Sequence, residues 1–539
     1  MSHASLGDGD ARHVFAREAL AQIPKILTLQ DRNAHSPTYG CFDRNFWHYK
    51  IIDFPSGMAQ EFVWPLALAY TLPLEGNSYH QQPAIREWIE AGILYAARSA
   101  HPDGSCDDYF PFEKAAGAAA FTLLACLESY SLLGLQNQEM LDFFAKRASW
   151  LADHHESGRL TNHQALIVLC LEKVARLLGT DRWEPLRAKR LARVLEWQND
   201  EGWFQEYEGC DPGYHTLTIA LLAQVYELTP SEQLCLALEK AIRFAANFVH
   251  PDGSFGGEYT SRNTYNFFPH GFEIAGKWLP EALEINDRFL VGLRQGLGSC
   301  YADDHILGHH TWSYLLAFQH FVSERPAHAA RPGGRLHFKN AGIIIERRGN
   351  AELYLALNKG GVLKYFVDGK LVHSDTHFSA QVQDGKLRNA VGHLVGSYKT
   401  QLEADKVMVS GRLGWAKTKQ MTTFNLVVLR FLMLSVGRFF PDLIRKLLQR
   451  ILITGKKPAP LEFTRAVHWA GERLRISDEL STNDWSRVHS VGIGASQTSI
   501  YVVMSRTYQA GQLQPWLDLT PKVRALKAGE ALRVEREFP

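Results

Sequence analysis

The segment PDGSFGGEY (residues 251–259) belongs to a loop that recurs along the first 320 residues of the chain. Its best copies are PDGSCDDY (102–109) and NDEGWFQEY (199–207). The aspartates of the strong and weak copies lie about fifty residues apart. They are Asp53, Asp103, Asp153, Asp200, Asp252 and Asp303. A fixed period of this length indicates a repeat architecture in which each unit is one supersecondary element.

Each repeat has room for two helices of different character. Residues 113–133 are apolar nearly all round, which is typical of a buried helix. Residues 137–153 are apolar on one side, with Lys146 and Arg147 opposite, as expected of an outer helix. The same plan recurs in the pairs 163–179 with 183–198 and 214–228 with 231–249.

Six such hairpins predict an (α/α)6-type toroid over residues 1–325, with an open solenoid as the alternative. The Asp-Gly-aromatic loops all precede an inner helix. In a closed toroid they would converge at one rim and form a cleft. We therefore expect a site at that rim.

The second part of the chain has the period of β-strands. The linker-like segment SERPAHAARPGG (323–334) separates it from the helices. Asp368-Gly369 and Asp384-Gly385 are hairpin turn signals. Strand-like segments are AELYLALN (351–358), VLKYFVDGKLVHSD (362–375), TRAVHWAG (464–471), ERLRISDE (472–479) and TSIYVVMS (498–505). The pattern predicts a multi-domain α + β chain whose residues 335–539 form an antiparallel β-sandwich.

Residues 421–458 form an insertion that reads as helical and basic. They hold seven basic residues against one acid, Asp442. The most apolar run, 424–440, is interrupted by two arginines, which argues against a transmembrane span. The segment is either a helical hairpin packed on the sandwich or at an oligomer contact, or an interfacial helix that gives peripheral membrane contact through 421–457.

The composition limits the classes of partner. The formal net charge is +1, so nothing global indicates nucleic acid. The seven cysteines show no zinc-ligand spacing, and we expect no metal and no other cofactor. The first residues lack a basic region followed by an apolar one, so we expect a cytoplasmic protein, with a peripheral position at the inner membrane as an extension.

Asn162, His163 and Tyr214 are the first candidates for chemistry. The repeat places them in rim loops or first helical turns of adjacent hairpins. An Asn amide and a His can neutralise a uronate carboxylate and stabilise the charge that develops when the C5 proton leaves. A Tyr can take that proton and protonate the leaving oxygen. The alternatives are an N-cap for Asn162 or Thr161, a solvated His163 and a packed Tyr214.

The segment GGEYTSRNTYNFFPHGFE (256–273) is the second candidate. Arg262 could bind a substrate carboxylate in bidentate fashion, with Asn263 and His270 beside it. The alternative is a structural loop with an Arg–Glu pair.

A third set consists of histidines from the sixth loop and the first β-hairpins: His305, His309, His310, His373 and His377. A His that points from the sheet into the cleft could act as base or carboxylate neutraliser. Metal binding is the alternative, although the spacing is not that of a zinc motif.

Aromatic residues at the same rim could stack on sugar rings, among them Tyr109, Trp203 and Tyr207, although core packing is the default for each. Carboxylates there could form an acid/base pair for hydrolysis. These are Asp107, Asp108, Glu206 and Asp211.

With these residues in view, the chain resembles the heparinase II/III-like and alginate-lyase-like polysaccharide lyases over nearly its full length. The resemblance rests on the order Asn162-His163, then Tyr214 in NDEGWFQEYEGCDPGYHT (199–216), then GGEYTSRNT. It implies a toroid joined to a β-sandwich, with Tyr214 as acid and base. It also implies that Asn162 and His163 neutralise the carboxylate, together with a His of the β domain.

The leading interpretation is therefore a lyase that cleaves an acidic, uronate-containing glycan by β-elimination, with a role in making or trimming an exported polysaccharide. Two alternatives are a glycoside hydrolase that uses rim carboxylates and a non-catalytic glycan-binding or assembly factor at the inner membrane. The formation of oligomers is left open.

Overall fold

The computed structural model describes residues 8–154, 158–206, 209–300, 304–416, 420–440, 443–444, 456–471, 473–496, 505 and 507–539, without the side chains of 8–10 and 304–305. The chain is helical up to Gln319 and consists mainly of antiparallel strands from Gly334 onward. This order of a helical region and a sheet region agrees with the sequence analysis. The division into independent domains at 1–325 and 335–539 stays a prediction.

Up to Gln319, the described residues form the helices of the repeats and, between α1 and α4, the two short helices α2 and α3. Their bounds are α1 Asp8–Leu20, α2 Ile23–Leu29, α3 Arg44–Trp47, α4 Val63–Thr71, α5 Pro83–Ser99, α6 Ala116–Leu133, α7 Gln138–Asp153, α8 Thr161–Leu178, α9 Glu184–Glu196, α10 Pro212–Leu228, α11 Glu232–Ala245, α12 Pro269–Gly276, α13 Glu281–Arg294 and α14 Asp304–Gln319.

The inner helices contact one another in a cycle. Among the described residues, α4, α6, α8, α10, α12 and α14 each contact the next, and α14 contacts α4. Helix α1 packs on α14, so the start of the chain lies against the end of the helical part. The predicted helices agree in position with α6 to α11. Because an outer helix returns the chain after each inner one, the inner helices begin at the same end.

The repeated glycines are explained by packing against outer helices. Gly104 has φ +89°, and a Cβ there would lie 2.9 Å from the backbone of Arg147 in α7. Gly253 has φ +83°, and a Cβ would lie 2.3 Å from the backbone of Gly292 in α13. Only glycine permits both the backbone angle and the approach. The repeated glycines therefore reflect the close packing of these loops on the outer helices, in addition to marking one end of the helical part.

Arg147 corrects one expectation about the outer helix α7. It was predicted on the solvent side, but it is buried, and its Nε donates a hydrogen bond to the Gly104 carbonyl at 2.8 Å. The arginine thus attaches the Asp-Gly loop to the helix. A charged residue in an amphipathic pattern can point inward when a loop carbonyl receives it.

The remaining strands form two antiparallel sheets, apart from a short hairpin in the helical part. That hairpin is β1 Gln205–Glu206 with β2 Gly209–Cys210. The small sheet has the order β3 to β7, with β3 Gly334–Phe338, β4 Ile343–Arg348, β5 Ala351–Ala356, β6 Val362–Val367 and β7 Lys370–Asp375.

The large sheet has the order β15-β14-β8-β9-β11-β12-β13-β16, and β10 pairs with β11. Its strands are β8 Phe378–Asp384, β9 Lys386–Val391, β10 Lys399–Leu402, β11 Lys406–Trp415, β12 Pro458–Ala470, β13 Arg473–Ser481, β14 Val488–Ile493, β15 Leu517–Asp518 and β16 Leu532–Phe538. The turns at Asp368-Gly369 and Asp384-Gly385 join strands as predicted. The predicted strand 498–505 lies almost wholly outside the described residues.

The small sheet lies between the helices and the large sheet. Ile343 and Ile345 of β4 belong to the core of the helical part. Ile344, which points to the opposite face, packs with Val409 and Ile476 of the large sheet. The alternation of side chains in a strand therefore explains why a run of three isoleucines is fully buried.

The basic insertion connects β11 to β12. Its described part contains α15 Thr423–Leu432, followed by a π-helical turn Met433–Gly437. The hydroxyl of Thr422 accepts a hydrogen bond from the Asn425 backbone and caps α15. One described helix, α6, has the length and composition of a membrane span, and 83% of it is buried inside the protein, as in a core helix. The predicted helical character of the insertion is thus observed for its first half.

Candidate functional site

The start of α8 lies under the short hairpin β1–β2. The hydroxyl of Thr161 donates to the carbonyl of Gln205 at 2.6 Å, and Leu160 forms a bridge with Glu206. Residue 160 precedes the helix, and no side chain caps it there. The alternative in which Thr161 or Asn162 caps this helix is therefore not observed, because both side chains bind the hairpin instead.

Asn162 is fully buried and binds the carboxyl group of Glu206 twice. Its backbone N–H donates to Oε1 at 2.9 Å, and its Nδ2 donates to Oε2 at 2.7 Å. Its Oδ1 has no hydrogen-bond partner among the described residues. An amide nitrogen carries two hydrogens, so the second one remains for another acceptor.

Glu206 is a buried carboxyl group whose charge is balanced by several neighbours. Burial raises its pKa to about 7, against the opposing effects of Arg262, Asn162 and His163. An Arg262 nitrogen lies 3.8 Å from Oε2. Buried carboxyl groups with a raised pKa are concentrated at functional sites, so Glu206 marks a candidate site.

Tyr214 and Arg262 lie in direct contact beside this carboxyl group. The guanidinium carbon of Arg262 is 4.0 Å from the centroid of the Tyr214 ring. Both side chains are partly exposed. The structure thus brings together Asn162, Tyr214 and Arg262, which were predicted from three different repeats, and Glu206 joins them.

Asp211 holds this arrangement in place. Its Oδ1 accepts from the Tyr214 backbone at 3.0 Å and caps α10, and it also accepts from the Thr264 hydroxyl. Its Oδ2 accepts from the Arg262 backbone at 3.0 Å and from Thr260 at 3.2 Å. The carboxylate is buried and surrounded by donors, so we assign it a structural role and not the acid/base role considered from the sequence.

The small sheet supports the loop of Arg262 from below. Asn263 has φ +59°, and its Oδ1 accepts a hydrogen bond from Nζ of Lys359 at 2.5 Å. The same Nζ donates to the carbonyl of Glu258 at 3.0 Å. Burial lowers the pKa of Lys359 to about 7. The side chain of Asn263 is thus oriented by the β region, and its role in substrate binding stays a prediction.

His163 lies at the edge of the site. Through Phe121 it is connected to a second polar pair, His309 and Glu61. The ring of His163 is packed against Gly117, where a Cβ would lie 2.5 Å from the ring, and edge-on to Phe121. Phe121 stacks on His309 at 4.1 Å, and Nδ1 of His309 lies 2.6 Å from Oε1 of Glu61. The sequence analysis missed Glu61, because no repeat signal marks it.

His270 and His310 are buried among helices and do not line a surface. The two ring nitrogens of His270 lie 2.8 Å from the Ser313 hydroxyl and 3.2 Å from Gln224. His310 packs between Phe268 and Tyr314. Burial lowers the pKa of each histidine to about 3. Their predicted contact with substrate is therefore corrected to a role in the core.

The two predicted histidines of the β region pack against aromatic rings, His373 partly exposed and His377 inside the protein. His373 stacks on Phe538 at 4.2 Å, and burial lowers its pKa to about 4. His377 is fully buried against Phe463, and its Nδ1 accepts from the Phe378 backbone at 2.8 Å. The predicted histidine from the sheet is thus not found at either position. Among the β-region residues that do reach the Arg262 loop are Lys359, Lys364 and Gln512.

The aromatic residues predicted to stack on sugar rings differ in their exposure. Tyr109 is 73% exposed and remains available for stacking. Trp203 is buried, and its Nε1 donates to Glu201 at 3.0 Å, so its predicted stacking role is corrected to packing. Tyr207 lies outside the described residues, and so does the side chain of His305.

Comparison with known proteins gives similarity in structure alone. No family model and no curated sequence matches the chain. The chondroitin AC lyase of Streptomyces coelicolor A3, in complex with chondroitin sulphate, is similar with a TM-score of 0.53 at 11% identity, over 92% of this chain and 69% of that one.

Two further solved structures have lower scores. A heparan sulfate lyase HepC mutant from Pedobacter heparinus has a TM-score of 0.44 at 12% identity, over 92% of this chain and 71% of that one. Cellobiose 2-epimerase from Bacillus thermoamylovorans B4167 has 0.46 at 12% identity, over 57% of this chain and 99% of that one. Scores below 0.5 do not establish a common fold. The chain thus has a polysaccharide lyase-like fold, on the basis of the chondroitin AC lyase.

Proposed function

We propose that the chain is a lyase that cleaves an acidic, uronate-containing glycan by β-elimination at Tyr214. The observation that carries the proposal is the contact of the Arg262 guanidinium with the Tyr214 ring, beside the buried Asn162–Glu206 pair. A phenol, a cation and an amide donor are the groups that this reaction needs. They lie together although they come from three repeats.

The proposed reaction proceeds through these side chains. Tyr214, as the phenolate, takes the proton from C5, a double bond forms between C4 and C5, and the bond from C4 to the leaving oxygen breaks. The phenol then gives its proton to that oxygen. Arg262 and the second Nδ2 hydrogen of Asn162 stabilise the charge that develops on the substrate carboxylate.

His163 has the remaining role in this proposal. It is partly exposed and lies near Glu206, whose charge it helps to stabilise. We propose that it donates to the substrate carboxylate beside Asn162. Glu206 holds the Asn162 amide in position, so it acts as a positioning residue.

We also propose the finer architecture that this site requires. The helical part is an (α/α)6 toroid, supported by the cycle of helix contacts, which an open solenoid lacks. The two sheets form a sandwich, supported by the core that Ile344 shares with Val409 and Ile476. The cytoplasmic location and the role with an exported polysaccharide stay predictions.

Hydrolysis is a second candidate, favoured by one observation. The pKa of about 7 for Glu206 is that of a general acid near neutral pH. However, the Asp107 carboxylate accepts from the Phe112 backbone at 2.7 Å and from Lys114 at 3.1 Å, and Asp211 is also saturated. We therefore place elimination first.

A product assay distinguishes the two reactions. The purified chain is incubated with a panel of uronate polymers, and both ultraviolet absorbance and reducing ends are measured. Elimination yields an unsaturated product that absorbs, whereas hydrolysis yields reducing ends without absorbance. Reducing ends alone would establish the hydrolase. Binding without either product would establish a glycan-binding protein.

A further inference from the structure

We propose that the outer surface of α15 and the turn after it docks on an anionic lipid bilayer. We call this surface the apolar face. It consists of Met421, Phe424, Val427, Phe431, Leu434, Val436, Phe439 and Phe440. The sequence left open membrane contact and a helical hairpin packed on the sandwich or at an oligomer contact, and the exposure of these side chains argues against packing on the sandwich.

The apolar face is exposed to a degree that is unusual for large hydrophobic residues. Phe424 is 75% exposed, Phe431 71% and Phe439 67%. Contiguous exposed apolar surface of this kind marks an interaction site in a folded protein. A hairpin packed on the sandwich would have buried these rings.

Arg430 turns toward the protein, whereas Arg438 is exposed and lies over the ring of Phe439. Arg430 forms an ion pair with Asp53 at 3.0 Å and lies over the ring of Phe54. Arg438 also lies over the ring of Phe112. Arg430 thus attaches α15 to the helical part while the large apolar side chains point away, and the exposed Arg438 stands beside them, where an anionic headgroup could bind it. A surface with this arrangement suits a hydrocarbon layer.

The charge of the insertion favours an anionic membrane over a second copy of the chain as the partner of the apolar face. Residues 421–458 hold seven basic residues and one acidic residue, which complements the headgroups of an anionic membrane. A second copy of the chain would bring two basic segments together across a symmetric contact, and they would repel each other. The apolar helical segment Thr423–Gly437 is shorter than the roughly 20 residues of a transmembrane helix, so it lies on the surface.

The residues that the insertion contacts, Asp53 and Phe112, lie at the same end of the helical part as the candidate site. The docked membrane would therefore lie near that end. Asp53 and Phe112 precede the inner helices α4 and α6, just as Glu206 precedes α10. These loops lie at the end of the helical part where the inner helices begin. If the proposed function holds, a glycan would thus reach Tyr214 close to the bilayer. The docking itself is independent of that function.

The experiment is flotation of the full-length chain with vesicles. One set contains phosphatidylcholine alone, and a second contains phosphatidylcholine with phosphatidylglycerol. The test variant is the triple substitution F424S/F431S/F439S, and the matched control is L236S/L387S. Leu236 and Leu387 are about half exposed, at 52% and 49%, and lie on α11 and β9. Circular dichroism and thermal unfolding check that each variant folds.

We expect the wild type and the control to float with anionic vesicles. The triple variant should bind at least about tenfold less, because membrane affinity scales with the apolar area that is inserted. Lack of flotation of the wild type, or equal flotation of the triple variant, would overturn the proposal.

A wild-type dimer that becomes a monomer in the triple variant, without vesicle binding, would show that a second copy covers the face. Because flotation needs no substrate, a lyase without activity can still bind vesicles.

Discussion

The guanidinium of Arg262 lies over the ring of Tyr214, with its carbon 4.0 Å from the ring centroid. The backbone of both residues is held by the same carboxylate, Asp211, through N–H groups 3.0 Å from its oxygens. A cation held on an aromatic face stabilises negative charge that develops on the phenol oxygen. The contact therefore links the loop 256–266 to the start of α10.

The first prediction concerns the hydroxyl of Tyr214. Tyr214→Phe should lower the rate of appearance of the absorbing product about 10²- to 10⁴-fold, the range for loss of a general acid–base group. The ring and its contact with Arg262 remain, so stability should change little. Tyr226→Phe is the matched control, because Tyr226 lies on the same helix, near Cys235. A Tyr214→Phe variant as active as the wild type would exclude the proposed role.

The second prediction concerns the pH dependence of stability. Burial raises the pKa of Glu206 from 4.5 to about 7, so between these values the folded state binds more protons than the unfolded state. The contribution of Glu206 to the free energy of unfolding therefore falls as pH rises from about 4.5 to about 7, by about 3 kcal/mol in total.

Glu206→Gln tests this prediction because glutamine does not titrate. Urea unfolding is measured for wild type and variant at pH 5 and at pH 8. The unfolding free energy of the wild type minus that of the variant should be smaller at pH 8 than at pH 5. Buried histidines titrate in both proteins, so their effect cancels in the difference. The same difference at both pH values would show that this carboxyl group is not perturbed.

The third prediction concerns Asp211. Asp211→Ala should lower the free energy of unfolding by about 3–5 kcal/mol, because it removes a helix cap and leaves several donors without an acceptor. Asp103→Ala is the control. Asp103 lies in an equivalent loop, but its side chain is 37% exposed, and we expect a loss of about 1 kcal/mol or less. Equal losses in urea unfolding would show that Asp211 does not organise the site.

The fourth prediction concerns Lys359, which joins the small sheet to the loop of Arg262. Burial lowers its pKa to about 7 from 10.5, so above pH 7 the unfolded state binds more protons than the folded state. Its contribution to stability should therefore rise as pH increases from about 7 to about 10.5. Lys359→Met should remove this rise, measured as the change in unfolding free energy between pH 7 and pH 9.5.

The control for Lys359 is Lys386→Met, at an exposed position on β9. It should retain the rise of the wild type. If Lys359→Met also retains the rise, the buried amine is not responsible for it. A loss of activity in Lys359→Met, without a loss in the control, would further show that the sheet positions the Arg262 loop.

The helical hairpins and many strands could be predicted from the sequence because burial leaves a local period. Helices α6 to α11 and the turn at Asp368-Gly369 were found in this way. The same period placed Asn162 and Tyr214 at equivalent positions of adjacent repeats. Gly179 was also predicted as the end of α8, and it has the left-handed backbone that this position requires.

The sequence by itself thus determined the order of the elements and the end of the helical part at which Asn162, His163 and Tyr214 lie. Only the tertiary structure showed what the Asn162 amide contacts, since Glu206 lies 44 residues away and reaches it through a folded hairpin. It also decided that His270, His310 and His377 are buried in the core and that His373 stacks on Phe538. Periodicity records which face of an element is buried, whereas the direction of one polar side chain depends on long-range partners that no local pattern contains.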